Sequence, residues 1–107
     1  MGETAISKAS RAEIRKLGVP CERVQSGRRG RKFHCAGAGT PDTWTALGWI
    51  EFKQPGEELS PDQKRWHARA KAWGVRVAVS HSVSETIAIV LGWLKDRQHQ
   101  QQRTGST

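Results

Sequence analysis

The stretch "GTPDTWTALGWIEFK", residues 39 to 53, sets three ionisable groups in an otherwise apolar run: Asp42 after a proline, then Glu51 and Lys53. Ionised groups in a short buried strand are costly unless paired or bound to a metal. Glu51 and Lys53 are two apart, so in a strand both leave the same face while Phe52 points to the other, into core. A hairpin over 42 to 53, bent near Leu47 or Gly48, sets Asp42 opposite Glu51 to Lys53. Two carboxylates so placed suit a hard divalent cation, Mg²⁺ or Mn²⁺, with water and a substrate phosphate filling its other positions. The backbone carbonyl of Phe52 is a candidate further ligand. Such a metal lowers the pKa of a bound water and polarises a phosphoryl oxygen. Lys53 would orient or deprotonate the attacking water, or stabilise charge on the phosphate. The plainer alternative is an exposed Glu51–Lys53 ion pair, which is common for an isolated E-x-K. What favours the metal is the company: "GTPD" upstream, a basic chain, and a capped helix opening near Gln63.

The surrounding elements follow from pattern. Residues 3 to 17 read as a helix with Ile6, Ser10, Glu13 and Leu17 on one face. Glu3 and Glu13 both lie near that face. Residues 21–25 and 31–36 read as strands around the turn "SGRRG", and 43–47 with 49–53 as a second hairpin. "SPDQKRWHARAKAW" is a helix with Ser60 as N-cap, Pro61 in the first turn and Gln63 completing a capping box. "VRVAVS" alternates as a strand should. Ser82 and Glu85 form a second capping box for a helix running to about Lys95. The expected organisation is one domain over 1–97 and a disordered polar tail over 98–107. The fold class is α/β, a central mixed β-sheet flanked by helices in the order α-β-β-β-α-β-α.

The chain has 107 residues, 36% of them hydrophobic, and a formal net charge of +8. That supports a modest core and a polyanionic partner, nucleic acid above others. Arg28, Arg29, Arg31 and Lys32 cluster at the first turn; beside a nucleic-acid site they would grip phosphates, and otherwise they form a solvated loop. No apolar run approaches the roughly 20 residues of a membrane span, and the N-terminus lacks a signal-peptide stretch, so a cytoplasmic location is expected. Cys21 and Cys35 form no CxxC pair, which argues against a four-ligand zinc site. They face each other if the hairpin is symmetric about Arg28, but reduced structural thiols are the expectation. Of the five tryptophans, two or three should be core and one could stack on an unpaired base. Trp66 and Trp73, a heptad apart on one helix, read first as packing. The last helix is apolar nearly all round, and a homodimer is expected to cover what the domain does not.

"TPD … IEFK … LSPDQKRWHARAKAWGVRVAVSHSVSE" resembles the VRR-NUC group of the PD-(D/E)xK nuclease superfamily over roughly residues 3 to 93. Members resemble this order: a glutamate in an N-terminal helix, G-[TV]-P-D, a strand ending E-x-K, S-x-x-Q opening a helix, a glycine, a V-x-V strand and a final helix. The resemblance implies a restriction-endonuclease-like core, with Asp42 and Glu51 as metal ligands and Lys53 as the catalytic lysine. It implies that Gln63 sits beside the site, positioning water or a DNA phosphate, alongside its capping role. It makes Glu3 the helical carboxylate, with Glu13 in reserve. The implied function is a metal-dependent DNA endonuclease leaving 5′-phosphate and 3′-hydroxyl ends. Stand-alone members occur in phages and bacteria and resemble Holliday-junction-resolving enzymes, so branched DNA is the implied substrate. A non-catalytic basic DNA-binding module of the same fold is the alternative. A helix-turn-helix regulator fits poorly, because β-like segments fill the middle of the chain.

Overall fold

Thr4 opens the first helix by accepting the Ser7 N–H on its Oγ1 at 3.1 Å. Helix α1 then runs Ala5–Lys16 in the computed structural model, which describes residues 4–24 and 37–105. Glu3, Cys35, the expected strand over 31–36 and the basic cluster Arg28, Arg29, Arg31 and Lys32 lie outside the described residues. The inward stripe of α1 is Ser7, Ser10, Arg11 and Ile14, spaced i, i+3, i+4 and i+7. It is rotated from the expected face. Leu17 is exposed, and Glu13 pairs with Lys16 at 3.0 Å on the surface.

Four strands follow: β1 (Cys21–Arg23), β2 (Thr43–Thr45), β3 (Trp49–Phe52) and, after helix α2 (Pro61–Ala72), β4 (Val77–Ser80). They lie in the order β1-β2-β3-β4. β1 with β2 and β2 with β3 are antiparallel, whereas β3 and β4 are parallel, the pairing that needs a crossover such as α2. This is the expected mixed sheet flanked by helices, in the expected order. The β2–β3 turn is closed by Thr45, whose Oγ1 accepts the N–H groups of Leu47 (3.0 Å) and Gly48 (2.9 Å). Gly48 is required by space: a Cβ there would come within 2.6 Å of the Arg76 Cβ and 3.0 Å of the Trp93 ring.

β3 alternates between two environments. Ile50 and Phe52 face Ile14, Val19, Cys21 and Val90, with Ile6, Leu47, Trp93 and Leu94 packed around them. This core lies between the sheet and α1 with α3 (Val83–Gly105). Trp49 and Glu51 face the other way, where Trp66 of α2 meets Trp49 edge-on with ring centroids 5.3 Å apart. The apolar core is small for the chain, and buried hydroxyls extend it. Thr86 donates to Ser10 at 3.1 Å and lies 2.7 Å from the Ser80 hydroxyl, tying α3 to α1 and β4. Each of these groups is fully buried and hydrogen-bonded, so none carries the cost of an orphaned polar atom.

Helix α3 opens at Ser82, which accepts the Glu85 N–H at 3.1 Å, but the Glu85 carboxylate accepts the His81 N–H and does not close the expected box on Ser82. It ends later than expected. Instead of stopping near Lys95 with a frayed tail from 98, it continues to Gly105. The segment "RQHQQQRT" has no glycine or proline, and Gln and Arg are good helix formers, so nothing in its chemistry stops the helix. Among the described residues no helix is long and apolar enough to cross a membrane.

Candidate active site

The β2–β3 register fixes the site. Thr43 pairs with Ile50, which sets Asp42 across from Glu51 just beyond the last paired residues. Two backbone contacts hold Asp42: its carbonyl accepts the Val24 N–H at 2.6 Å, and its Oδ2 faces the Phe52 N–H at 3.4 Å. The Phe52 peptide thus reaches the Asp42 carboxylate, while the Phe52 side chain stays in the core on the far face. Glu51 is 3% exposed, and its Oε1 is buried with no hydrogen-bond partner. Lys53 is one β-repeat further, its backbone N–H donating to the Ser80 carbonyl at 3.0 Å. Its side chain is largely covered, with Nζ 3.9 Å from the Glu57 carboxylate, and its charge acts on both Asp42 and Glu51. The structure therefore brings Asp42, Glu51 and Lys53 together.

The two carboxyls are held out of their ordinary range. Burial pushes the Glu51 carboxyl up, and the Asp42 charge beside it pushes it further, to about 8. Burial also raises Asp42, against the lowering effects of the Phe52 N–H and Lys53. Without a cation the pair keeps a proton, which Glu51 donates to Asp42. Glu51 is buried with an orphaned oxygen, Asp42 across from it is half-buried, and Lys53 acts on both, so the pair could hold a cation. The donors are all oxygen, which suits a hard divalent ion that retains several waters. Among the described residues no group of three or more His, Cys, Asp or Glu gathers. Any third carboxylate must therefore come from elsewhere. Glu13, the reserve candidate, is engaged by Lys16 at the surface.

The loop carrying Asp42 is seated on the start of α2. Gly39 has φ +85°, and a Cβ there would overlap the Asp62 carbonyl oxygen and lie 3.0 Å from the Gln63 nitrogen. Glycine is thus required both by conformation and by space. Pro41, fully buried, carries the chain from that contact to Asp42. On the helix side, Gln63 and Ser60 form the expected capping box: Gln63 Oε1 accepts the Ser60 N–H at 2.8 Å, and Ser60 Oγ accepts the Gln63 N–H at 3.2 Å. The carbonyl of the Gln63 side chain is committed to the cap, which leaves its amide donors outside that bond.

Sequence reasoning missed two buried groups. Arg11 is 5% exposed, donates from Nη1 to Thr43 Oγ1 at 3.1 Å, and acts electrostatically on Asp42. Burial lowers its pKa, with Arg23 and Arg15 adding to the effect. The period of α1 would have found it, since positions 7, 11 and 14 share a face, but an arginine reads as solvent-facing. His67 is the buried residue of α2, with Nε2 lacking a partner; burial, then Lys71, lowers its pKa and favours the neutral ring.

Against known proteins, the chain is 37% identical over 86 residues to a protein named "Putative nuclease p44" from Acyrthosiphon pisum secondary endosymbiont phage 1. The match covers 75% of this chain and 83% of the phage protein. The chain belongs to the p44 nuclease family. No protein-family model and no solved structure matches it. In this p44-family nuclease, Asp42, Glu51 and Lys53 form a charged cluster with Glu51 buried and the other two half-buried.

Proposed function

We propose that this p44-family nuclease is a Mg²⁺- or Mn²⁺-dependent DNA endonuclease whose centre is Asp42, Glu51 and Lys53. The observation that carries the reading is the buried Glu51 Oε1, without a partner and across the hairpin from the half-buried Asp42 carboxylate. Asp42 and Glu51 would hold the ion, with the Phe52 carbonyl as a further ligand. When bound, the ion supplies Lewis acidity at the scissile phosphate and lowers the pKa of its water. Lys53 presents an ammonium to the same patch, where it steadies the charge that grows on the phosphate and orients the nucleophilic water. The amide donors of Gln63 face a phosphate or that water from the start of α2. Arg11 secures Thr43, the residue after Asp42, and so holds the ligand loop in register.

Branched DNA is the proposed substrate, on the resemblance to stand-alone junction-resolving nucleases. A homodimer accompanies it. Leu91 on α3 is 48% exposed while Val90 beside it is fully buried, so the domain covers one side of that helix. A two-fold pair of sites matches the near-two-fold symmetry of a four-way junction. Incubation with linear, flap and four-way junction DNA in Mg²⁺, Mn²⁺ or chelator tests the reading. Cleavage is expected with either metal, strongest on the junction, absent with chelator and absent in Asp42→Ala and Lys53→Ala. Wild-type cleavage by Lys53→Ala would overturn the assignment, and a monomer in sedimentation that still makes paired nicks would overturn the dimer.

A further inference from the structure

The heptad spacing on α2 predicts that Trp73 packs beside Trp66. It does not: Trp66 is half-buried against Trp49, while Trp73, at the end of α2, is 83% exposed. The other exposed large apolar residues lie between 38% and 48%, and one of them, Val75, is two residues on. A solvent-facing indole forgoes a large burial, and the helix holds it there firmly. The Trp73 N–H closes the last turn on the carbonyls of Arg69 and Ala70, and the Val75 N–H returns to the Ala70 carbonyl at 2.9 Å.

Its neighbours say what would cover it. Arg65, Arg69 and Trp73 are spaced by four, which lines them along one flank of α2. All three are exposed. The carboxylate on this flank is Asp62, which pairs with Arg65 in the first turn and leaves the Trp73 end basic. Lys64 and Lys71, also exposed, run down the opposite flank. The start of the same helix is seated on the Asp42 loop through Gly39. From Gln63 to Trp73 the helix rises about 15 Å at 1.5 Å per residue, roughly four B-form base steps at 3.4 Å per strand. A strand with its phosphate at the site can thus run along Arg65 and Arg69 and bring a base to Trp73.

The geometry points to the Arg65–Arg69–Trp73 flank as a second nucleic-acid contact, on which Trp73 stacks an unpaired base of the substrate. The inference rests on the nuclease reading for its partner class and adds the structural feature selected: a base not held in a duplex, as at a flap, gap or junction. The arginines supply phosphate contacts, which position without reading sequence. The indole supplies a stacking platform, which accepts any base but only one free of its pair.

The test measures equilibrium binding of the full chain, in chelator, to a labelled duplex and to the same duplex interrupted by four unpaired thymines. Trp73→Ala should weaken binding to the interrupted DNA about five- to a hundred-fold and leave intact-duplex binding within about two-fold. Trp73→Phe, which keeps an aromatic face, should recover most of the loss. Arg65→Ala with Arg69→Ala should flatten the salt dependence of binding. Equal affinity of Trp73→Ala and wild type for the interrupted DNA overturns the inference. So does a Trp73→Ala protein that sediments at half the wild-type mass, since the indole would then cover a second copy of the chain. Metal-dependent cleavage scored on the same proteins separates the two claims. Cleavage with Trp73-independent binding removes the stacking contact and leaves the nuclease. Trp73-dependent binding with no cleavage in Mg²⁺ or Mn²⁺ removes the metal-dependent nuclease reading and leaves the contact.

Discussion

Glu51→Gln should stabilise the metal-free protein at alkaline pH while removing its function. In the folded chain the Glu51 carboxyl is raised from an ordinary 4.5 to about 8 by burial and by Asp42. The folded state therefore binds a proton that the unfolded chain has already lost throughout that window. Stability falls with pH wherever the folded state holds more protons, so the Glu51 contribution is fully present below pH 4.5 and is lost as pH rises through 8. At about 1.36 kcal/mol per unit, the full shift corresponds to about 5 kcal/mol. That is a large share of the roughly 5–15 kcal/mol typical of a domain. The raised Asp42 carboxyl acts in the same direction. Glutamine keeps the shape of Glu51 and can donate to Asp42 as the protonated acid does, without a charge to lose. Urea unfolding in chelator at pH 5 and pH 9 reads the effect. Wild type should lose several kcal/mol between the two, and Glu51→Gln much less, so that the variant is the more stable at pH 9. Added Mn²⁺ should restore wild type at pH 9 and leave the variant unchanged. A flat wild-type profile, or a variant less stable than wild type at pH 9, would refute the claim that these carboxylates are held against each other.

Arg11→Met should cost about 2–4 kcal/mol in urea unfolding, because it takes the guanidinium away from the buried Thr43 hydroxyl and from the Asp42 charge; a change under about 0.5 kcal/mol would place Arg11 outside the scaffold of the site. Gly39→Ala should lose about 1–3 kcal/mol, and more activity than that implies, since its methyl displaces the Asp42 loop from α2; unchanged stability and cleavage would show that the loop is not seated there. Replacing Arg28, Arg29, Arg31 and Lys32 together by alanine should reduce the log–log salt slope of DNA binding by up to about 0.9 for each phosphate no longer neutralised; an unchanged slope would mean this basic cluster serves solubility alone.

The hairpin and its charges are legible in the sequence because strand chemistry has a period of two. Once 42 to 53 folds near Gly48, the alternation of Trp49, Ile50, Glu51 and Phe52 assigns each side chain to a face, and Asp42 meets Glu51 with little freedom. The capping box at Ser60 is legible for a similar reason, being entirely local. What the sequence hides depends on partners distant in the chain. Arg11 lies on the inward stripe because Thr43, far along the chain, offers a buried acceptor. Trp73 is exposed although its spacing from Trp66 suggests packing. The two share a face of α2, but Trp73 lies about 10 Å further along it at 1.5 Å per residue, so Trp66 meets Trp49 and Trp73 does not. The length of α3 is hidden because polar composition suggests fraying where glutamine's helix propensity prevails. Gly39 reads as part of a motif, and only its approach to Asp62 explains why no side chain can stand there.

The most direct test of the central claim is a Mn²⁺ titration followed by electron paramagnetic resonance, since bound Mn²⁺ loses the sharp signal of the free ion. The wild-type chain should take up one Mn²⁺ at the site, and Lys53→Ala, which keeps both carboxylates, should take up the same amount. Asp42→Ala and Glu51→Gln should each lose that uptake while remaining folded at pH 7. Uptake by Asp42→Ala and Glu51→Gln equal to wild type would contradict the assignment of these two carboxylates as the metal site.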